Sequence, residues 1–297
     1  MKFLIIGDTH FCYRGPSSRM DDWWGTIVAK FDFILQTAKK HECDAILQPG
    51  DFFDSPRVAN VVLSTLIGML REFDRPIFSV MGQHDMMMRS RDDDERTSYG
   101  VMVSAGVLRH LDASGRGFGK AALYGSSWGE DAPSVKDKDA YNILVIHAPI
   151  GTEKIWNKQE LINPDEVSEG LGEFKLIVCG DYHYSFIRGK STRVINAGAL
   201  VRKTCSSKDM AHVPKCFVYD TDGGDFVTID IPHDPPECVF MPVVKGAKSS
   251  VNIVSLVEQM RSDVSENLSF RTSFLRYCSD NGVSGDAKNL VLSILQD

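Results

Sequence analysis

No apolar run in these 297 residues is long enough to span a bilayer, which takes roughly 20 consecutive apolar residues. The opening run Lys2-Phe3-Leu4-Ile5-Ile6 gives way at once to Gly7-Asp8, so it is too short for a signal-peptide core. The expectation is a soluble, intracellular protein with no membrane partner. Paired cysteines are missing too. The seven cysteines (Cys12, Cys43, Cys179, Cys205, Cys216, Cys238 and Cys278) are scattered, and none lies at C-x-x-C spacing. An odd, dispersed set speaks against a disulfide framework and a cysteine zinc site and fits a reducing compartment. Positive charge is scarce: 33 Lys and Arg stand against 40 Asp and Glu, a formal net charge of −7. That does not advertise nucleic-acid binding, because neutralising phosphates takes Lys and Arg. Local basic loops, or acids cancelled by bound cations, still leave room for it.

What is present is an ordinary globular composition, 43% hydrophobic and 25% charged, enough to bury a proper core. The length allows two domains or one large one. Residues 2–6, 45–47 and 77–80 read as strands. Residues 26–39 and 58–70 read as helices, with Ile27, Phe31, Ile34, Leu35 and Ala38 at helical spacing. This alternation argues for α/β layering. Residues 121–124, 142–146, 176–179 and 194–195 read as further short strands, and residues 216–220 and 226–231 as a hairpin around Thr221-Asp222-Gly223-Gly224. The Pro-rich residues 232–236 mark a boundary. It separates a domain of residues 1–232 from a C-terminal segment, residues 237–297, in which 251–260, 270–277 and 287–295 look helical.

Polar clusters fall where strands end. Asp8 and His10 follow the first strand, Asp51 and Asp54 the second, and Gln83, His84 and Asp85 the third; His147 ends residues 142–146, and Asp181 and His183 follow 176–179. Singly these are weak signals: an Asp-x-His pair is commonly structural, His147 suits a satisfied core histidine, and Gly50-Asp51 suits a turn. Together they mark one site, because ligands on open α/β sheets collect at the carboxyl ends of strands. Carboxylates, imidazoles and an amide oxygen suit divalent Mn, Fe or Zn. Two metals about 3.5–4 Å apart can clamp the attacking and leaving oxygens of an in-line displacement, so hydrolysis of a phosphate ester is the natural reaction.

Gly7-Asp8-Thr9-His10, Gly50-Asp51-Phe52-Phe53-Asp54, Gly82-Gln83-His84-Asp85, His147 and Gly180-Asp181-Tyr182-His183 resemble the five motifs of calcineurin-like metallophosphoesterases, over residues 2–200. Within that family the chain looks most like SbcD-type DNA repair and recombination nucleases, phage-encoded ones included. Thr97-Ser98-Tyr99-Gly100, Val194-Ile195-Asn196-Ala197-Gly198-Ala199-Leu200 and the tail after the Pro-rich break contribute to that likeness. The resemblance implies an α/β fold, a layered β-sandwich flanked by helices with a small C-terminal helical segment. It implies a metal-dependent DNA nuclease, an exonuclease of repair, recombination or degradation, in the cytoplasm of a bacterium or a phage-infected host. Two divalent cations are implied, manganese first, with magnesium, iron or zinc as alternatives. Carried onto these positions, Asp8, His10 and His183 would hold one metal, Asp51 would bridge, and Gln83, His147 and Asp181 would complete the second. His84 would act at the scissile phosphate, and Asp54 would orient His84. Gln83 and Asp181 depart from the family's Asn and His. Both can still ligate, and the added carboxylate leans the site toward Mn or Mg over Zn.

Substrate is less legible. Arg14 and Arg19 follow the first motif, Arg89 and Arg91 the third, and Arg188, Lys190, Arg193, Arg202 and Lys203 the last. They are either a track for a nucleic-acid backbone or ordinary surface charge; the resemblance favours DNA, with Arg14, Arg19 and Arg89 as candidate contacts. Trp23 and Trp24 either stack bases or staple the following helix to the sheet. The implied partners are DNA and an SbcC-like coiled-coil ATPase docked on the tail, and a homodimer is among the assemblies allowed. A small-molecule phosphodiesterase or phosphatase, and a non-catalytic nucleic-acid-binding subunit with a degenerate site, are the alternatives.

Overall fold

A computed structural model describes residues 1–87, 94–155 and 159–241, together with Cys278. Arg89, Arg91 and the expected tail helices lie outside the described residues. The chain divides into two compact units, Met1–Met241 and Pro242–Asp297, and the first holds both sheets.

The first sheet is built on β1 (Lys2–Ile5), β2 (Ala45–Gln48) and β3 (Ile77–Ser79). These run parallel, with Phe3 opposite Ala45 and Ile46 opposite Ile77. α1 (Trp23–Lys40) and α2 (Asn60–Glu72) connect them, as parallel pairing requires. β4 (Arg109–His110) extends one edge, and the hairpin of β11 (Lys215–Asp220) and β12 (Asp225–Asp230) extends the other. The second sheet comprises β5 (Arg116–Phe118), β6 (Ala121–Ser126), β7 (Tyr141–His147), β8 (Leu176–Gly180), β9 (Phe186–Arg188) and β10 (Arg193–Asn196). Its order is β5-β6-β7-β8-β10-β9, and β6, β7, β8 and β10 are parallel.

Side chains alternate between the faces of each strand, and that alternation makes the layers. Phe3, Ile5, Leu47, Phe78 and Val80 meet Leu123, Ile143, Val145, Leu176 and Val178 of the other sheet in one buried layer. Leu4, Ile6, Ile46 and Ile77 point the opposite way, under Ile27, Phe31 and Ile34 of α1 and Val62, Leu66 and Leu70 of α2. Leu144, Ile177 and Val194 bury the outer face of the second sheet against Phe174 and Val167, the last from α4 (Pro164–Gly170). Each such side chain contributes about 1.5–3 kcal/mol of burial. The result is the expected α/β architecture, a two-sheet sandwich flanked by helices.

Helix α1 starts earlier than its periodicity indicates, because Asp22 caps it by accepting from the Gly25 N–H at 3.1 Å. α3 (Ser98–Ser104) is capped by Thr97 in the same way, and α5 (Ser207–Ala211) by Ser206. The Pro-rich stretch does not end the packed chain: α6 (Pro236–Val239) follows it, Val239 and Phe240 are buried, and the Met241 N–H donates to Ser18 O at 3.0 Å.

Candidate metal centre

Parallel pairing brings the carboxyl ends of β1, β2 and β3 in one sheet, and of β7 and β8 in the other, to a common edge. The loops there are tied together by backbone. Asp51 O accepts from the Thr9 and His10 N–H groups at 3.2 and 3.0 Å, and Phe11 N–H donates to Phe52 O at 2.9 Å. Asp85 is fully buried and clamps the next loop on: its carboxylate accepts from the N–H of Phe52 (3.1 Å), Phe53 (2.8 Å) and Gly82 (3.0 Å). Two motif glycines are there for clearance. A Cβ on Gly82 would lie 2.1 Å from Asp51 Oδ1, and one on Gly50, whose φ is +101°, would lie 2.5 Å from His147 Nδ1. Three of the four non-glycine residues with positive φ among those described are His10 (48°), Asp51 (48°) and Asp181 (84°). Strain of this kind, about 1–3 kcal/mol per residue, concentrates at functional sites.

The side chains follow one pattern: an atom tethered, and a second buried atom left without a hydrogen-bond partner. Asp8 Oδ2 accepts from the Asp181 N–H at 3.0 Å while Oδ1 is unpartnered. Asp51 Oδ1 accepts from the His84 N–H at 2.9 Å while Oδ2 is unpartnered. His147 Nδ1 lies 2.6 Å from Pro49 O, and its Nε2 is unpartnered. Gln83 Nε2 donates to Asp181 Oδ1 at 2.7 Å, and its Oε1 is unpartnered. Ring nitrogens and carboxylate oxygens of the set lie close together. His10 Nε2 is 3.1 Å from His183 Nε2, His183 Nε2 is 3.7 Å from Asp8 Oδ2, and Asp51 Oδ2 is 3.8 Å from His10 Nε2 and 3.6 Å from His147 Nε2. Donors about 2.0–2.2 Å from one ion stand at such separations from each other. Buried acceptors without partners are costly, and cations answer that cost. Three overlapping trios can each hold an ion: Asp8–His10–His183, His10–Asp51–His84 and Asp8–Asp51–His147. The donor set therefore fits divalent cations, with His84 near enough to join it.

The titratable groups of the set act strongly on one another and shift in opposite directions. Burial pushes the Asp8 carboxyl well up, helped by Asp51 and Asp181 and opposed by His147. Burial also pushes Asp51 up, but His147, His10 and His84 hold it below the usual carboxylate range. His147 is raised to about 10 despite burial because Asp51 and Asp8 face it. His10 and His183 are lowered, chiefly by burial, which keeps them in the neutral form that ligates.

The structure thus gathers Asp8, His10, Asp51, Gln83, His84, His147, Asp181 and His183 at one edge. The two departures from the family pattern prove to be partners, since the longer Gln83 amide reaches the Asp181 carboxylate. Asp54 is placed differently from expectation. His84 Nδ1 lies 2.8 Å from the Asp54 backbone carbonyl. The Asp54 carboxylate instead lies 3.3 Å from His10 Nδ1 and is paired with Lys203; those partners hold it at about 2 against the upward push of burial. Arg19 is not a surface contact. It donates to both Asp21 oxygens at 2.7 and 2.6 Å and to Arg202 O at 2.8 Å, and it lies over the Trp23 and Phe240 rings. Arg202 is buried and donates to His212 O and Asp234 O. Arg14 is exposed. Trp23 is core, its indole N–H donating to Cys12 O at 3.0 Å. Sequence reasoning missed the pairing of Lys203 with Asp54, the clamping role of Asp85, and Trp128. Trp128 lines a cleft of about 890 Å³ together with Gln83, His147 and Asp181. It follows β6, a strand exit at the same edge, which was the available signal.

A model of the calcineurin-like phosphoesterase family matches residues 1–185. Among curated proteins, the DNA double-strand break repair protein Mre11 of Methanosarcina acetivorans is 25% identical over 202 residues, 62% of this chain and 30% of that protein. Mre11 of Archaeoglobus fulgidus is 31% identical over 116 residues, 37% of this chain and 24% of that protein. The similarity thus spans about a third or less of those relatives. A crystal structure of TT1561 from Thermus thermophilus superposes with a TM-score of 0.51 at 12% identity, covering 78% of this chain and 99% of that one, a likeness of fold.

Proposed function

The chain belongs to the calcineurin-like phosphoesterase family, and from that premise we propose that it is a metal-dependent DNA nuclease that hydrolyses phosphodiester bonds, an exonuclease of repair, recombination or degradation. The observation that carries hydrolysis is the set of tethered, buried side chains left with an unpartnered atom, Asp8 Oδ1, Asp51 Oδ2, Gln83 Oε1 and His147 Nε2, among which Asp8, Asp51 and His147 offer ligand atoms within 4.8 Å of one another. DNA as substrate is supported by the likeness to two archaeal DNA double-strand break repair proteins. Asp8, His10 and His183 would hold one cation, Gln83, His147 and Asp181 another, with Asp51 between them and manganese preferred. When bound, such cations supply positive charge against the phosphate and a nucleophile at neutral pH.

The chain's own residues do the rest. The Asp54 carbonyl accepts the His84 Nδ1–H, which leaves Nε2 to act at the phosphate: when the ring carries a second proton, Nε2–H gives it to the leaving oxygen. The Asp54 carboxylate, steadied by Lys203, turns His10 so that its Nε2 faces the centre. Asp85 fixes the Asp51 and His84 loops relative to each other. An SbcC-like coiled-coil ATPase docked on the tail beyond Met241 would govern access of DNA.

Linear DNA incubated with Mn, beside a His84→Ala control, tests this reading. Loss of DNA in the wild type alone is the expected result. Turnover of bis(p-nitrophenyl) phosphate with DNA untouched would select a small-phosphodiester enzyme, and no turnover of either would select a non-catalytic subunit.

A further inference from the structure

The cleft beside Gln83, His147 and Asp181 has walls unlike a phosphate track. It holds about 890 Å³ and is lined by Trp128, Gly129, Glu130, Ala148, Pro149, Gln159 and Glu160 as well. That volume falls within the roughly 300–1,000 Å³ of small-ligand sites. Among the described residues no lysine or arginine lines it, while Glu130, Glu160 and Asp181 bring carboxylates to it. The lining suits a flat, polar-edged group.

Trp128 supplies the flat surface and is held in place to do so. Its N–H donates to Met81 O at 2.9 Å, and the Glu130 N–H donates to Ser127 O at 3.0 Å. The Glu130 carboxylate accepts from the Ser127 N–H at 2.8 Å, closing a tight turn with Gly129 at φ +80°. The indole is half-buried and meets the His147 ring edge-on, centroids 6.0 Å apart at 64°. An indole beside a reaction centre, fixed by its own backbone in a cleft it shares with Ala148 and Pro149, offers a π-face of the kind on which bases stack.

We infer that this cleft is a subsite for a single nucleobase, stacked on Trp128 with its edge toward Gln159 and Glu160. The inference rests on the nuclease reading and deepens it by naming the part of the substrate that seats beside the centre.

The test uses the full chain with Mn and, as probe, 2-aminopurine deoxyribonucleoside 5′-monophosphate, whose fluorescence is quenched on stacking. Deoxyadenosine monophosphate and deoxyribose 5-phosphate compete for the same site. Stacking on one aromatic ring is worth about 1–3 kcal/mol, so the base-bearing competitor should bind about 5- to 150-fold more tightly than the sugar phosphate. Trp128→Ala should bring that ratio close to one and abolish the quench, while Trp128→Phe should keep most of both. Equal binding of the two competitors by the wild type overturns the inference without any variant, and so does an unchanged ratio in Trp128→Ala. Wild-type turnover of bis(p-nitrophenyl) phosphate is read separately. Its absence counts against the hydrolase reading, while base binding is judged by the competition alone.

Discussion

Gln83 and Asp181 depart from the family pattern together, and their contact says how they should behave when reverted. Gln83 Nε2 donates to Asp181 Oδ1 at 2.7 Å, a hydrogen bond to a charged acceptor worth about 1.5–3 kcal/mol where well buried. Asp181 is only half-buried, so about 1–2 kcal/mol is the fitting range after solvent screening. Gln83→Asn shortens the arm by one methylene, so the amide cannot hold Asp181 and also present its oxygen to the centre. Asp181→His removes the acceptor and leaves the Gln83 amide without its tether, though His tolerates the positive φ at this position better than most residues. Each single change should weaken Mn binding about 10-fold, or about 1.4 kcal/mol. The double variant restores a short amide beside a neutral imidazole and should bind more tightly than either single. A coupling of about 1–2 kcal/mol is expected in the cycle. Calorimetric titration with Mn and with Zn reads both the coupling and the preference, and the imidazole variants should shift away from Mn. Strictly additive losses, with an unchanged metal profile, would refute the proposition that the two residues act as one ligating unit.

Chelation should lower the melting temperature, since a cation at 100 times its Kd contributes about 2.7 kcal/mol; Asp51→Ala should erase the response to added Mn, as scanning fluorimetry would show. His84→Ala should lose about 10²–10⁴ in turnover while keeping its thermal response to Mn. Asp54→Ala, by contrast, should weaken Mn binding, because its carboxylate faces His10; the opposite pattern would reverse the two roles. Burial, then Arg19 and Arg202, lowers the Lys30 ammonium from 10.5 to about 7, so between those values the folded chain holds fewer protons than the unfolded one and stability rises with pH. Urea midpoints should climb from pH 7 to pH 9 in the wild type and climb less in Lys30→Met. A chain ending at Met241 should stay folded, since Phe240 is buried and Met241 is bonded to Ser18, yet fail to capture a coiled-coil ATPase that the full chain captures.

The core strands were legible because an apolar run meeting Gly-Asp or Gly-x-His is visible locally. Edge strands were not. β4 and β9 span Arg109–His110 and Phe186–Arg188, too short for any alternation, and are held by pairing with distant strands. α4 buries only Pro164, Val167 and Ser168, which leaves no stripe to read. The ligating positions could be read from spacing, because each follows its strand at once. Orientation could not. Asp54 turns to His10 because Lys203, 149 residues away, meets it there, and Arg19 is buried because Trp23 and Phe240 enclose it. Sequence shows which residues stand at an edge, while contacts between remote segments decide which atom each one presents.

The strain at the site follows from the same division of labour. Positive φ at His10, Asp51 and Asp181 costs about 1–3 kcal/mol each and would relax if the loops were free. They are not free: Asp51 O takes two N–H groups from the first loop, Asp85 takes three from the second and third, and Asp8 takes the Asp181 N–H from the other sheet. Each tie has a backbone N–H as its donor. The bent backbone therefore leaves Asp8 Oδ1, Asp51 Oδ2 and His147 Nε2 buried and unpartnered before any cation arrives. A centre assembled this way meets its ion without reorganising, so the cost of order falls on folding rather than on binding.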